Sequence, residues 1–209
     1  MTKNNLFDDL FFRYDEWFEK HKFAYRTEVE LLKKLVPSSG RGLEIGVGTG
    51  RFAEALGIKE GADISEKMLE LAARRGVAAT LAAAENLPYE KESFDFVLLM
   101  MTICFTDDPS QALKEAGRIL KPGGFIIAGI IDKNSSMGKG YRGKDSPFYK
   151  SATFFSAEEL LHMLTEAGFG NFEVLQTLFE NYKDSTGLDR IDEGYGSGSF
   201  VAVKAEKIT

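Results

Sequence analysis

The chain has 209 residues, of which 44% are hydrophobic and 28% are charged, a composition typical of one soluble globular domain. Its net charge of −6 argues against nucleic acid as a partner, because binding to phosphates needs a basic surface. The single cysteine, Cys104, excludes an internal disulfide and a cysteine-based metal site, and we predict no metal. We expect a cytoplasmic protein without a membrane span, because the first residues lack an apolar signal core and one cysteine fits a reducing compartment.

Apolar residues at helical spacing predict one helix over residues 14–36, with an aromatic-rich face. From residue 42 onward, strands and helices alternate. The predicted strands cover residues 42–46, 58–64, 77–82, 94–101 and 125–131, and the predicted helices cover 49–56, 65–75 and a segment that begins at Asp108-Pro109. This alternation indicates a parallel sheet with helices on both faces.

After residue 131 the alternation ends. Residues 132–155 are predicted to form a long polar loop, and loops of this length are often functional lids. Ser156 and Glu159 form a capping box that predicts a helix through Ala167. Two final strands are predicted over residues 172–178 and 199–204.

The segment GLEIGVGTGRF, residues 42–52, places three glycines at the carboxyl end of the first predicted strand. In a doubly wound sheet, ligands bind at this edge, and glycines let a ligand approach the backbone. A P-loop needs Lys and Ser or Thr after its last glycine, whereas Arg51 and Phe52 follow here. The dinucleotide fingerprint needs a third glycine where this chain has Arg51 or Ala53.

Two carboxylates identify the cofactor more closely. Glu44 precedes the glycines and would repel a pyrophosphate at the following helix N-terminus, but it suits a ligand with a cationic group. S-adenosylmethionine (SAM) carries an ammonium and a sulfonium and has no phosphate. Asp63 ends the second predicted strand and can accept hydrogen bonds from both ribose hydroxyls of an adenosine cofactor. The alternative is that both acids are exposed charges at strand ends.

Residues 40–131 resemble the class I SAM-dependent methyltransferases, especially the ubiquinone/menaquinone-biosynthesis-like small-molecule group. The segments that carry the resemblance are LEIGVGTGRF (43–52), ADISEKML (62–69), AENLPYEKESFDFVLLM (84–100) and EAGRILKPGG (115–124). The chain departs from the family at Ala83, where relatives often have Asp, and at TICF (102–105), where relatives often have a His pair.

The resemblance implies an α/β fold, a Rossmann-like doubly wound sheet of seven strands in the order 3-2-1-4-5-7-6, with the last strand antiparallel. It implies SAM as the cofactor and S-adenosylhomocysteine (SAH) as the product. We therefore predict a single methyltransferase domain over 1–209 with four parts: an N-terminal helical lid (1–37), a SAM-binding core (38–131), a substrate or lid loop (132–155), and a C-terminal helix and strand pair (156–209).

The cofactor contacts that the resemblance implies are Glu44, Gly46, Val47, Gly48, Gly50, Asp63, Ile64, Met68, Ala84, Glu85, Met100 and Met101. The candidates for contact with a methyl acceptor are Tyr14, Trp17, Phe18, Cys104, Phe105 and Tyr141. Each candidate can instead be an ordinary packing residue, and Tyr141 is exposed unless its loop closes on the acceptor. No catalytic residue is identified, because the cofactor supplies the leaving group and a general base is optional.

These observations predict methyl transfer by direct in-line displacement to an N, O or C atom of a small molecule. DNA amino-methylation is disfavoured, because residues 101–109 lack the N/D/S-P-P-Y/F/W motif of those enzymes. Two alternatives remain, a SAM-binding protein without transferase activity and a nicotinamide-dependent oxidoreductase. The oligomeric state and the identity of the acceptor are not predicted.

Overall fold

The computed structural model describes residues 3–179 and 186–208, so residues 1–2, 180–185 and 209 of the predicted segments lie outside the described residues. The strands are β1 (Gly42–Ile45), β2 (Glu60–Asp63), β3 (Ala78–Leu81), β4 (Phe94–Met100), β5 (Leu120–Ile131), β6 (Phe169–Thr177), β7 (Asp192–Glu193) and β8 (Phe200–Lys207). The helices are α1 (Lys3–Lys20), α2 (Lys22–Leu35), α3 (Arg51–Leu56), α4 (Glu66–Arg74), α5 (Pro109–Ile119), α6 (Ser136–Arg142), α7 (Pro147–Ser151) and α8 (Ala157–Glu166), with one 3-10 turn at Ile103–Phe105. No helix in the described part of the chain is both long and apolar enough to cross a membrane.

The strands form one sheet in the order β3-β2-β1-β4-β5-β8-β6-β7. Strands β1 to β5 pair in parallel, whereas β8 lies between β5 and β6 and is antiparallel to both. The predicted Rossmann-like order with an antiparallel last strand is therefore confirmed. The predicted number of seven strands is too low, because the two-residue strand β7 pairs with Leu175 and Gln176 at the edge. A strand of two polar residues has no apolar alternation that a sequence pattern could reveal.

Two hydrophobic layers cover the two faces of the sheet. In β4, Phe96 and Leu98 belong to one layer and Val97 and Leu99 to the other. Successive side chains of a strand point to opposite faces, so a strand covered on both sides reads as a continuous apolar run. This arrangement confirms the prediction that helices flank a buried parallel sheet, and it leaves the carboxyl ends of β1, β2 and β4 open to a ligand.

The N-terminal segment differs from its prediction. The single helix over 14–36 is wrong, because the chain forms α1 and α2 with a break at His21, whose φ of −120° and ψ of 43° are not helical. The pattern gave no sign of the break, since Trp17, Phe18 and Tyr25 continue the apolar spacing across it. Helix α1 also begins well before residue 14, and its early residue Leu6 is buried.

The long loop predicted over 132–155 is also wrong, because it contains α6 and α7. Ser135 caps α6 by accepting a hydrogen bond from the N–H of Gly138 (3.0 Å), and Pro147 begins α7. The many Gly, Ser and Lys residues hid these two short helices from a pattern analysis. Tyr141, expected at an exposed position, is only 5% exposed because its ring stacks on Tyr149 with centroids 4.3 Å apart.

Candidate functional site

A cavity of about 650 Å³ opens at the carboxyl ends of β1, β2 and β4, beneath α1. Its lining comes from these strand ends, from α1 and from the segments 82–85 and 101–107. The lining residues are Phe7, Tyr14, Gly46, Gly48, Asp63, Ile64, Met68, Ala82, Ala83, Ala84, Glu85, Met100, Met101, Thr102, Phe105, Thr106 and Asp107. Its volume is in the range of small-molecule and cofactor sites.

The glycine loop forms the floor of this cavity. Gly46 and Gly48 both have positive φ, 71° and 52°, which favours glycine. A side chain at Gly46 would collide with Thr102, since an added Cβ would lie 2.4 Å from its Oγ1. An added Cβ at Gly48 would lie 3.5 Å from the Tyr14 ring, so the absent side chain leaves space between the loop and α1. The loop therefore presents bare backbone to the cavity.

Two further members of the predicted loop set, Val47 and Gly50, do not line the cavity. The Val47 side chain packs into the core against Gly61, where an added Cβ would lie 2.7 Å from Val47 Cβ. Gly50 permits close packing of the loop on α4, since its added Cβ would lie 2.9 Å from the Cα of Ala72. Both residues therefore pack on the side of the loop that faces away from the cavity.

Asp63 connects the glycine loop to the second strand. Its Oδ2 accepts a hydrogen bond from the N–H of Gly48 (2.8 Å), and its Oδ1 accepts one from the N–H of Ser65 (3.0 Å). Burial raises the pKa of Asp63, although the backbone hydrogen bonds from Gly48, Ser65 and Ile64 oppose the rise. The carboxylate lines the cavity and is held in one orientation, as a partner for ligand hydroxyls requires.

Glu44 is fully buried at 1% exposure, so the alternative of an exposed strand-end charge is wrong for this residue. Its Oε2 atom has no hydrogen-bond partner among the described residues. Burial raises the pKa of Glu44 well above its usual range; the backbone N–H of Ala53 opposes the rise and the Asp63 carboxylate adds to it. Glu44 does not itself line the cavity. A buried carboxyl oxygen without a partner is costly, which indicates a role that the unliganded protein does not fill.

The segment 82–85 forms the opposite wall with Ile64 and Met68. Glu85 lines the cavity, but its Oε1 accepts hydrogen bonds from the N–H groups of Asp107 (2.7 Å) and Asp108 (3.2 Å). Glu85 therefore fixes the turn after β4 in place. Ala83, where relatives often have Asp, contributes a methyl group to the wall instead of a carboxylate.

The six acceptor candidates divide into three groups. Tyr14 and Phe105 line the cavity. Trp17 and Phe18 do not line it; Phe18 packs edge-on against Tyr25, Phe52 and Trp17. The remaining two, Cys104 and Tyr141, line a second, almost entirely apolar cavity of about 30 Å³ that shares Met101 and Phe105 with the first.

Sequence reasoning missed several lining residues, among them Phe7, Thr102 and Asp107. Phe7 lies seven positions before Tyr14 on the same face of α1, so extending the helical periodicity upstream would have found it. Thr102 bonds to the carbonyl of Ile45 (2.8 Å), and this contact between two strand ends has no sequence signal.

Ion pairs hold α1 over the cavity. Arg51 donates to Asp15 (2.7 Å) and to Glu19 (2.8 Å), and Arg75 donates to the same Asp15 oxygen (3.1 Å). Burial alone would raise the pKa of Asp15, but the hydrogen bond from Arg51 is the main cause that lowers it to about 2. At its other end, α1 is held to α4 by Asp8, which accepts from the hydroxyl of Ser65 (2.6 Å).

The residues present fit an adenosine ligand that carries positive charge. The charged side chains that line the cavity are Asp63, Glu85 and Asp107, and no Lys, Arg or His of the described residues lines it. A pyrophosphate would meet these carboxylates without a cationic partner. A ligand with an ammonium group would instead be attracted by the carboxylates that line the cavity.

Comparisons with known proteins agree with this geometry. Residues 43–128 match a family model described as a methyltransferase domain. An uncharacterized protein of Methanocaldococcus jannaschii is 47% identical over 206 residues, which are 98% of this chain and 100% of that protein. A demethylmenaquinone methyltransferase of Bacillus mycoides is 27% identical, over 82% of this chain and 88% of that enzyme.

Among solved structures, a SAM-dependent methyltransferase of Thermotoga maritima, described as a possible histamine N-methyltransferase, is 49% identical. The match covers 98% of this chain and 99% of that chain with a TM-score of 0.96. The fold, the cavity and these similarities together establish that the chain belongs to the class I SAM-dependent methyltransferases and that its cofactor is SAM.

Proposed function

We propose that the protein transfers the methyl group of SAM to an N, O or C atom of a small-molecule acceptor by direct in-line displacement. The observation that carries this proposal is that one cavity contains both the residues that we assign to the cofactor and a second, aromatic wall. The residues assigned to the cofactor include Gly48, Asp63 and Glu85, whereas Phe7 and Phe105 bound the second wall. A cofactor and an acceptor can then meet in the same enclosed space.

Specific residues would hold each part of the cofactor. Asp63 would accept hydrogen bonds from the ribose hydroxyls, because it is fixed by two backbone N–H groups beside the glycine loop. Ile64 and Met68 would pack on the adenine ring opposite Ala84. Glu44 would stabilise the ammonium group through a water molecule, or orient the loop that binds it.

The cofactor supplies an activated methyl group, so the protein has to align the acceptor and exclude water. Helix α1 covers the cavity with Phe7 and Tyr14, and the ion pairs of Asp15 hold it there. We propose that α1 is the lid of a single methyltransferase domain and that it closes on bound cofactor. No side chain is assigned as a general base.

Calorimetric titration with SAM, SAH and NAD tests this proposal. We expect micromolar binding of SAM and SAH and no binding of NAD. An Asp63→Asn variant should lose most of its SAM affinity, whereas Asp95→Asn should keep it, because Asp95 pairs with Lys121 outside the cavity (2.7 Å). Binding of NAD in preference to SAM would contradict the proposal.

A screen for SAH release with small-molecule acceptors then tests transfer itself. Turnover with one class of acceptor supports the proposed activity. Tight SAM binding without turnover on any small molecule would favour the alternative of a SAM-binding protein without transferase activity. We further propose that the protein acts in the cytoplasm, as its single cysteine suggests.

A further inference from the structure

Four aromatic rings surround one side of the cavity, and we call them the aromatic cluster: Phe7, Tyr14, Phe105 and Phe148. Three of them, Phe7, Tyr14 and Phe105, line the cavity directly. Phe7 lies edge-on to Phe105 with centroids 5.1 Å apart, and Phe148 lies 5.7 Å from Phe7 and 6.4 Å from Tyr14. The cluster is built from α1, the 3-10 turn after β4, and α7, so three separate elements converge there.

The electrostatic environment of the cluster is negative. Asp63, Glu85 and Asp107 line the same cavity. Burial raises the pKa of the Tyr14 phenol, and the nearby Asp63 carboxylate adds to the rise. Carboxylates act strongly on one another and on a ligand where water is excluded, because the effective dielectric is low.

Among the described residues, no Lys or Arg side chain lies over the rings of the aromatic cluster. Where cations pack on aromatic faces in the described part of the chain, they do so elsewhere: Arg51 lies over Phe18 and Lys144 lies over Tyr141. Phe7 and Phe105 line the cavity, so a ligand cation there can reach their rings. An anionic acceptor would meet carboxylates and no basic side chain, and a neutral one would gain nothing from the charge.

We propose that the methyl acceptor is a small amine, which binds as its ammonium ion against the aromatic cluster and is methylated on nitrogen. This inference rests on the proposed methyltransferase function and names its acceptor class. Aromatic faces attract ammonium ions more than the neutral hydroxyl of an isosteric alcohol. The surrounding carboxylates favour the cation further and reject carboxylate analogues.

Methyl transfer to the bound amine begins with the loss of a proton from the ammonium ion. The bound ammonium first loses one proton to water, and the neighbouring sulfonium of SAM promotes this loss because like charges lower the pKa of an ammonium. The free lone pair of nitrogen then forms the bond to the methyl carbon while the carbon–sulfur bond breaks and its electron pair stays on sulfur. The products are SAH and a methylated ammonium ion, and one proton is released per turnover.

Matched probes test the acceptor class. SAH-loaded protein is titrated with 2-phenylethylamine, 2-(4-imidazolyl)ethylamine and n-butylamine, each beside its alcohol and carboxylate counterparts. We expect at least one amine to bind more tightly than both of its counterparts and to release SAH from SAM in turnover. If no amine binds, or if a carboxylate counterpart binds more tightly, the inference is overturned. Failure of SAH itself to bind would instead refute the proposed methyltransferase function.

Variants then test the position of the amine. Phe7→Leu should weaken amine binding by about tenfold while the affinity for the alcohol counterpart changes little. Phe12→Leu is the matched control, because Phe12 lies on the same helix and is 67% exposed. The sulfonium of SAM is a second cation that competes with the amine for the cluster, and a comparison of SAM with SAH separates these two cases. If Phe7→Leu weakens SAM but neither SAH nor the amine, the amine does not bind at the cluster.

Discussion

Glu28 provides a direct test of how burial without an ion pair raises the pKa of a carboxyl group. Its side chain is buried on α2 at 4% exposure and has no ion pair or hydrogen bond among the described residues. Burial raises its pKa from the ordinary value of 4.5 to about 8. Between these two values the unfolded chain has lost the proton that the folded protein retains, so the free energy of unfolding falls as the pH rises and levels off above about 8.

Replacement of Glu28 by Gln removes this titration but keeps the shape of the protonated side chain. A change of one unit in pKa corresponds to about 1.36 kcal/mol of unfolding free energy. The stability that the wild type loses through Glu28, and that Gln restores, is therefore about 3 kcal/mol at pH 7 and close to zero near pH 4. We therefore expect the stability of Glu28→Gln relative to the wild type to increase by about this amount between the two conditions. Other titrating groups are common to both proteins and cancel in the difference.

Urea unfolding followed by circular dichroism measures this difference at several pH values. Glu30→Gln is the control, because Glu30 lies on the same helix, is about half exposed and pairs with Lys33 at 2.9 Å. That variant should differ from the wild type by less than about 1 kcal/mol at every pH. A stability difference between Glu28→Gln and the wild type that stays constant, or that decreases as the pH rises, would show that Glu28 is not buried without a partner.

Three further predictions concern the loop and the lid. Gly48→Ala and Gly57→Ala both place a side chain at positive φ, and each should lose about 1–2 kcal/mol of stability. Only Gly48→Ala should also weaken SAM binding, because Gly48 faces the cavity whereas an added Cβ at Gly57 meets open space; equal effects on SAM would contradict this placement. Asp63→Asn should weaken SAM binding by about tenfold or more. Acid that protonates Asp63 should weaken SAM binding by the wild type but not by the variant. Calorimetry with SAM at two pH values measures both effects. Asp15→Asn removes the ion pairs to Arg51, so stopped-flow measurement should show faster release of SAM, and an unchanged rate would argue against α1 as the lid.

The central part of the fold could be predicted because its physical causes are local. The continuous apolar run of β4 reflects burial on both faces, and Ser65 and Asp108 each cap a helix that was predicted to begin there. The position of Asp63 at the end of β2 also followed from the alternation of strands and helices. These features depend on neighbouring residues in the chain.

Other features depend on contacts between distant segments. The complete burial of Glu44 places its carboxyl group beside the N–H of Ala53 and the Asp63 carboxylate, which a charged residue beside glycines does not reveal. Met101 adopts a φ of 57°, unusual for a residue other than glycine, and thereby lines both cavities. Trp17 continues the apolar pattern of Tyr14, but only Tyr14 lines the cavity, whereas Trp17 packs against the core. One apolar face of the helix thus contacts both the core and the cavity, and the pattern does not separate them.

The most direct test of the central claim is a crystal structure of the protein with SAH. We predict that the nucleoside lies in the cavity under α1, with its ribose hydroxyls on Asp63 and its adenine between Met68 and Ala84. The ammonium group should lie on the side of the glycine loop, with a water molecule between it and the unpaired oxygen of Glu44. Electron density for SAH at another surface, or in this cavity with its ribose away from Asp63, would contradict the account.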